Sequence, residues 1–138
     1  ARDTPAAMSQ ENVEIVRRAL EAFRNGEVDA ALALGHPEMV STRVDPDGAV
    51  FHGHDGLLRL MADWVEGFEE WSYRAEEYVD ADDHVVVHIR QWGRGAGSGA
   101  PVEADNWIVY AVEDGLITRA HIHSDRAQAY AAAGITGS

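Results

Sequence analysis

Cysteine is absent from all 138 residues, which removes disulfide scaffolds, thiolate nucleophiles and cysteine-ligated zinc at once. Positive charge is scarce: 11 Lys and Arg stand against 24 Asp and Glu, a formal charge of −13. A surface so acidic repels phosphate backbones and anionic headgroups, so no nucleic-acid or membrane-surface partner is expected. No apolar run reaches the roughly 20 residues that a bilayer-spanning helix needs. The opening ARDTPAAMSQ has no apolar core resembling a secretory signal, and a cytoplasmic location is the expectation. Internal repeats and low-complexity linkers are missing as well, and the length suits one domain with one core and at most one pocket. Residues 1–8 read as a tail, with Met8 a candidate natural start, residues 9–135 as the domain, and 136–138 as a second tail.

What is present is ordered helices first, strands later. After Ser9, a good N-cap, Val13, Val16, Ala19, Leu20 and Phe23 recur at helical spacing until Asn25-Gly26. A shorter helical piece, VDAALAL, ends at Gly35, where His36-Pro37 turns the chain into the strand-like MVSTRV. The turn DPDG at 45–48 and FHGHDG lead into a third helix with an apolar face of Leu57, Leu60, Met61, Trp64, Val65 and Phe68. From Trp71 the pattern becomes extended: WSYRAEEYV, HVVVHIRQWGRG, VEADNWIVYAV and GLITRAHIHS, joined by DADD, GAGSGAP and EDG. Asp125 caps a closing helix that runs to Gly134. The class is α+β, an antiparallel meander curved around helices.

Seven histidines invite a metal reading, through the H-x-H pairs His52/His54 and His121/His123. Nothing in the sequence brings one pair to the other, so no metal is expected. Strand phase sets His88 with Val86, Arg90 and Trp92, opposite the aliphatic Val85, Val87 and Ile89 that suit the face beneath the helices. The opposite phase would put His88 across from Trp107 in a pocket, where a side chain titrating near neutrality serves as general base. Asp105 is either a strand-end charge or an inward carboxyl whose pKa burial raises.

The strings ENVEIVRRALEAFRNGEVDAALAL, HPEMV, VFHGHDGLLRLMADWVEGFEEW and EDGLITRAHIHSDRAQAYAAAGI resemble the SnoaL-like branch of the NTF2-like superfamily, shared with ketosteroid isomerases and limonene-epoxide hydrolases. The resemblance implies a cone-shaped α+β fold, a curved sheet with helices packed on its concave face, covering Met8 to about Ile135. In isomerase-type relatives a carboxylate near the end of the first strand abstracts a proton alpha to a carbonyl, and VDPDG puts Asp45 nearest that position. Their first-helix tyrosine is Ala19 here, and their second donor on the penultimate strand falls at Trp107, with Asp105 on the same face. The aspartate that cyclases and epoxide hydrolases carry on the last strand falls at Ile122. With Ile122 inward, Thr118, Ala120 and Ser124 share its face, while Arg119, His121 and His123 point outward.

Two departures imply an enlarged cavity. Relatives often carry an aromatic where this chain has Gly35 and a tryptophan near Thr42, so unfilled apolar volume there suits a flat multi-ring or long aliphatic ligand. Met61, Trp64 and Trp107 then line the cavity mouth. The resulting expectation is cofactor-independent acid/base chemistry on a small hydrophobic carbonyl compound by Asp45, Asp105 or His88. The ligand would be held by Gly35, Thr42, Met61, Trp64, Trp107 and Ile122. Alternatives are a binding or dimerisation module of the same fold and, third, an epoxide-hydrolase-like hydrolase. A homodimer is expected through the outer sheet face around His88, Trp92, His121 and His123.

Overall fold

The computed structural model describes residues 5–45 and 47–135. In chain order the elements are α1 (Pro5–Arg24), α2 (Val28–Leu32), β1 (Gly35–Arg43), β2 (Ala49–His52), α3 (Gly53–Glu66), β3 (Phe68–Ala81), β4 (His84–Gly95), β5 (Pro101–Glu113), β6 (Leu116–His123) and α4 (Arg126–Ala132). Helix α1 starts ahead of the expected cap Ser9, because a proline is well placed in a first turn whose N–H groups have no intrahelical acceptor. Residues 5–8, expected as tail, are therefore helical. The remaining expected tail positions 1–4 and 136–138, and Pro46 of the DPDG turn, lie outside the described residues.

Helix α1 ends as its Asn-Gly predicts. Gly26 takes a φ of 79°, and the N–H groups of Gly26 and Glu27 return to the carbonyls of Phe23 and Ala22 at 3.1 and 2.8 Å, satisfying last-turn acceptors. The β5–β6 hairpin turns on Asp114 and Gly115, whose φ values of 51° and 79° suit the right-handed twist of the flanking strands.

The six strands lie in the order β2-β1-β6-β5-β4-β3, in a curved, unclosed sheet. The sheet is mixed rather than wholly antiparallel: β1 and β6 run parallel, with Ser41 opposite Ala120 and Arg43 opposite Ile122. The meander β3 to β6 makes three reversals, so β6 runs opposite to β3 and comes home beside β1 in the direction that β1 already has. Strand β6 also departs from simple alternation. Ala111 pairs with Arg119 but Val112 with Ile117, so Thr118 is an extra residue in a bulge. Its hydroxyl donates to the Ala111 carbonyl at 3.3 Å and to Glu113 at 3.0 Å. Thr118 thus leaves the inward face expected for it, and Ile117 occupies that face instead.

Both faces of the sheet are covered. Ile15, Val16 and Ala19 of α1 pack with Val85, Val87 and Ile89, the phase that the aliphatic alternation of β4 predicts. Helix α4 lies on the opposite face, where Ala129, Tyr130 and Ala133 pack on Val86 and Val109. Val85, Val86 and Val87 are consequently all 0% exposed. Truncating Val85 or Val86 to alanine should each lower stability by about 2 kcal/mol in urea denaturation. A near-zero effect at Val86 would mean that α4 does not cover its face.

Candidate functional site

A cavity of about 140 Å³ lies between α1, α2, α3 and the inner face of the sheet. Its wall is almost wholly apolar. Helix α1 supplies Ala19, Leu20 and Phe23, α3 supplies Leu57, Leu60, Met61 and Trp64, and the sheet supplies Ile89, Ile108, Ile117, Ala120 and Ile122. Each helix does so because its apolar residues recur at three- and four-residue spacing, which collects them on one side.

Polar groups in the wall are few and mostly committed to one another. The indole N–H groups of Trp64 and Trp71 both donate to Gln91 Oε1, the second at 2.8 Å. Gln91 Nε2 donates to Asn106 Oδ1, and Asn106 Nδ2 reaches the His123 carbonyl at 3.5 Å. The Tyr73 hydroxyl donates to the Leu20 carbonyl at 2.6 Å. Burial pushes its pKa up to about 12, and that of Tyr110 rises further for the same reason, so both phenols stay protonated at neutral pH. Ser41 is fully buried and its hydroxyl has no partner. No Asp, Glu, His, Lys or Arg lines this cavity among the described residues.

The residues proposed from sequence divide accordingly. Gly35, Met61, Trp64 and Ile122 line the cavity, and Thr42 and Trp107 do not. Thr42 pairs with His121 on the outer rows of β1 and β6, one residue out of phase with the inward Ser41. Gly35 does line the wall, but the volume of its missing side chain is taken by Met39, whose Sδ lies 2.8 Å from where a Cβ would stand. Neither departure enlarges the cavity in the manner expected. Trp107 stacks flat on His88 across the outer face, with centroids 4.7 Å apart and planes 10° from parallel.

The three candidate acid/base residues are not brought together, and none is in the wall. His88 Nε2 lies 2.9 Å from Asp105 Oδ1, and Arg90 approaches both oxygens of that carboxylate at 3.4 Å, all on the outer face. Asp105 faces outward because Asn106, Ile108 and Tyr110 take the inward positions of β5. Asp45 accepts from the Ser124 backbone N–H and hydroxyl at 3.2 and 3.0 Å, pinning the turn after β1 to the end of β6. Its neighbour Asp47 is held by Arg43 at 2.9 and 3.0 Å. The H-x-H pairs stay apart: His54 bonds the Gly35 carbonyl at 2.8 Å, while His121 and His123 sit on the outer rows of β6.

Among the wall residues that the sequence did not point to are the polar Ser41, Gln91 and Asn106. Gln91 was within reach, since it continues the inward phase of Val85, Val87 and Ile89. Asn106 was hidden because Val109 is buried beneath α4 while Ile108 and Tyr110 are buried inward, so hydropathy along β5 carries no phase.

With this geometry in view, the family model for the SnoaL-like domain matches residues 16–120. The chain belongs to the SnoaL-like family. Three solved structures share its fold. One is described as a SnoaL-like polyketide cyclase from Jannaschia sp. CCS1, at 21% identity and a TM-score of 0.73, covering 93% of this chain and 94% of that one. Another is a hypothetical protein from Catenulispora acidiphila with a ketosteroid isomerase-like fold, in complex with trimethylamine, at 18%, 0.68, 89% and 94%. The third is TerC co-crystallised with polyporic acid, at 19%, 0.71, 90% and 98%. No curated protein matches the chain. Among the described residues no helix is long and apolar enough to cross a membrane.

This SnoaL-like chain also carries a titration signature outside the cavity. His123 is 6% exposed with neither ring nitrogen bonded, and burial lowers its pKa, with Asp45 and Asp125 opposing. His121 is lowered by burial and then by Arg119. A histidine depressed in the fold lets the unfolded chain take the proton first. Its contribution is therefore complete above the unfolded value near 6.5 and lost as pH falls below it. Melting temperature should drop between pH 7 and 5, and His123→Gln should flatten that drop. An equally steep profile in the variant would assign the effect elsewhere.

Proposed function

We propose that this SnoaL-like protein binds an uncharged, hydrophobic small molecule in the cavity beneath α1 and α3. The observation that carries the reading is the wall itself: apolar on nearly every side, with neutral amides, hydroxyls and indole N–H groups as its polar members. A carboxylate or ammonium guest would lose its hydration and find no counter-ion, a loss of several kcal/mol, whereas a neutral guest gains roughly 25 cal/mol per Å² of apolar surface buried before binding costs are subtracted. The co-crystal of TerC with polyporic acid is a precedent for small-molecule binding by this fold, not for the neutrality of the guest. Trp64 and Trp71 line the cavity and so report occupancy by fluorescence. Flat neutral polycyclic ketones should quench or shift that emission, and carboxylates of the same ring skeleton should bind at least about tenfold more weakly. Equal affinity for the charged series would overturn the reading.

A second reading, acid/base chemistry on a hydrophobic carbonyl compound, is favoured by the likeness to a protein described as a polyketide cyclase. It needs a base, and with Asp105 and His88 on the outer face, Asp45 is the carboxylate left to test. Under this reading solvent deuterium enters the carbon alpha to the carbonyl of a bound ketone, and Asp45→Asn stops it. Binding without exchange favours the first reading. In either case Asp105→Asn and His88→Ala should change ketone affinity less than about twofold, since neither residue reaches the wall. The hydrolytic alternative would need a carboxylate in the cavity to activate water, and no wall residue supplies one.

The proposal includes a homodimer through the outer face. Helix α4 covers Val86 and Val109 there, and the part-exposed His88–Trp107 stack and Trp92 lie on the same side. His123, already buried by its own chain, is no longer needed for that interface. Sedimentation should give a dimer at micromolar concentration, and a monomer would remove this part.

A further inference from the structure

We infer that the cavity recognises its guest through two polar points at separate ends of an apolar wall: the amide N–H donors of Gln91 and Asn106, and the hydroxyl of Ser41. The inference rests on the binding reading above and names the class of guest, an elongated neutral molecule with an acceptor oxygen such as a ketone at one end and a second oxygen at the other.

The donor character of the first point follows from a chain of forced orientations. An indole N–H can only donate, so the Gln91 atom that meets both Trp64 and Trp71 is its carbonyl oxygen. That places Gln91 Nε2 toward Asn106, which must then present Oδ1 to it. Asn106 Nδ2 is left facing the His123 carbonyl, a pure acceptor, in agreement with the first two steps. Each amide nitrogen has two hydrogens, and these bonds use one on each. Gln91 is 2% exposed and Asn106 8%, so the second N–H of each is withheld from bulk water, in a wall where an acceptor from a guest would complete it.

The second point is Ser41, 0% exposed, whose Oγ has no hydrogen-bond partner. Buried hydroxyls are normally bonded, and this one is in the cavity wall. The two points are well separated. Ser41 pairs with Ala120, Ala120 with Tyr110, and Asn106 lies four residues along β5 from Tyr110. On a flat sheet that is about 13 Å along the strands and about 10 Å across them. Curvature shortens the gap, but a compact guest still meets one point and an elongated one meets both.

The test uses three probes of one shape on the full chain: 4-acetyl-4′-hydroxybiphenyl, 4-acetylbiphenyl without the hydroxyl, and 4-isopropyl-4′-hydroxybiphenyl without the carbonyl. Tryptophan fluorescence and calorimetry should rank the first tightest, with each oxygen worth about fivefold or more. The bound carbonyl stretch should move to lower wavenumber than in hexane. Ser41→Ala should bring the first probe to the affinity of 4-acetylbiphenyl, and Asn106→Ala should reverse the carbonyl shift and the preference for the ketone. Equal affinities for the three probes on the unmodified protein, with the carbonyl stretch at its hexane value, would overturn the inference and leave the binding reading standing. The absence of binding by all three would overturn both. The probe comparison and the carbonyl stretch decide the matter on the unmodified chain if a variant fails to fold.

Discussion

The parallel pairing of β1 with β6 is the contact on which the rest of the molecule depends. It joins residue 41 to residue 120 and residue 43 to residue 122, uniting a helical N-terminal half with a C-terminal meander that, among the described residues, shares no other strand pairing with it. Through it, α3, which follows β1 and its edge partner β2, is held over the inner face of the sheet to which β4 and β5 also contribute. A cavity exists because the two halves meet along one edge while α1 and α3 bridge above it. Where the ladder ends, the bond from Val44 N–H to the Ile122 carbonyl at 2.9 Å and the Asp45 bonds to Ser124 extend it through the following turn.

That architecture explains the chemistry of the wall. Where helices cover both faces of the sheet, a strand segment is withdrawn from water, as the three consecutive valines of β4 show. Ionised groups are excluded from such a setting unless paired, and the charged residues of β4 and β5 accordingly face outward, where His88, Asp105, Arg90 and Glu103 bond one another. What remains inward can form hydrogen bonds but does not ionise near neutral pH. The amides, the serine and the two phenols can orient a neutral guest, and burial keeps the phenols protonated.

Much of the fold was legible in the residues because local rules agreed with one another. Asn25-Gly26 ended α1, Asp114-Gly115 turned the last hairpin, and the aliphatic alternation of Val85, Val87 and Ile89 chose the inner face of β4. Of the ligand positions named from sequence, Met61 and Trp64 line the cavity through the unambiguous stripe of α3, and Gly35 and Ile122 line it from β1 and β6. Thr42 and Trp107 do not, because they sit one residue out of phase with Ser41 and Asn106. A one-residue error of phase on a strand moves a side chain to the other face, and β5, buried on both faces, offers no polar alternation to correct it. The bulge at Thr118 is a further case, since an extra residue in one strand is a property of the pair of strands and not of either sequence alone.

The sequence by itself determined the element types, the helical stripes that roof the cavity, the acidic surface and the absence of thiol chemistry, because each follows from residue type and spacing along the chain. Only the tertiary structure decided which candidate groups meet. Asp45, Asp105 and His88 are strong acid/base residues in any sequence, yet each finds its partners away from the cavity. Gly35 reads as a void until Met39 is seen filling it. Gln91, Asn106 and Ser41 are unremarkable letters until their strands are paired. The reason is physical: what a side chain can do depends on the dielectric and the partners around it, and those are set by contacts between segments far apart in the chain.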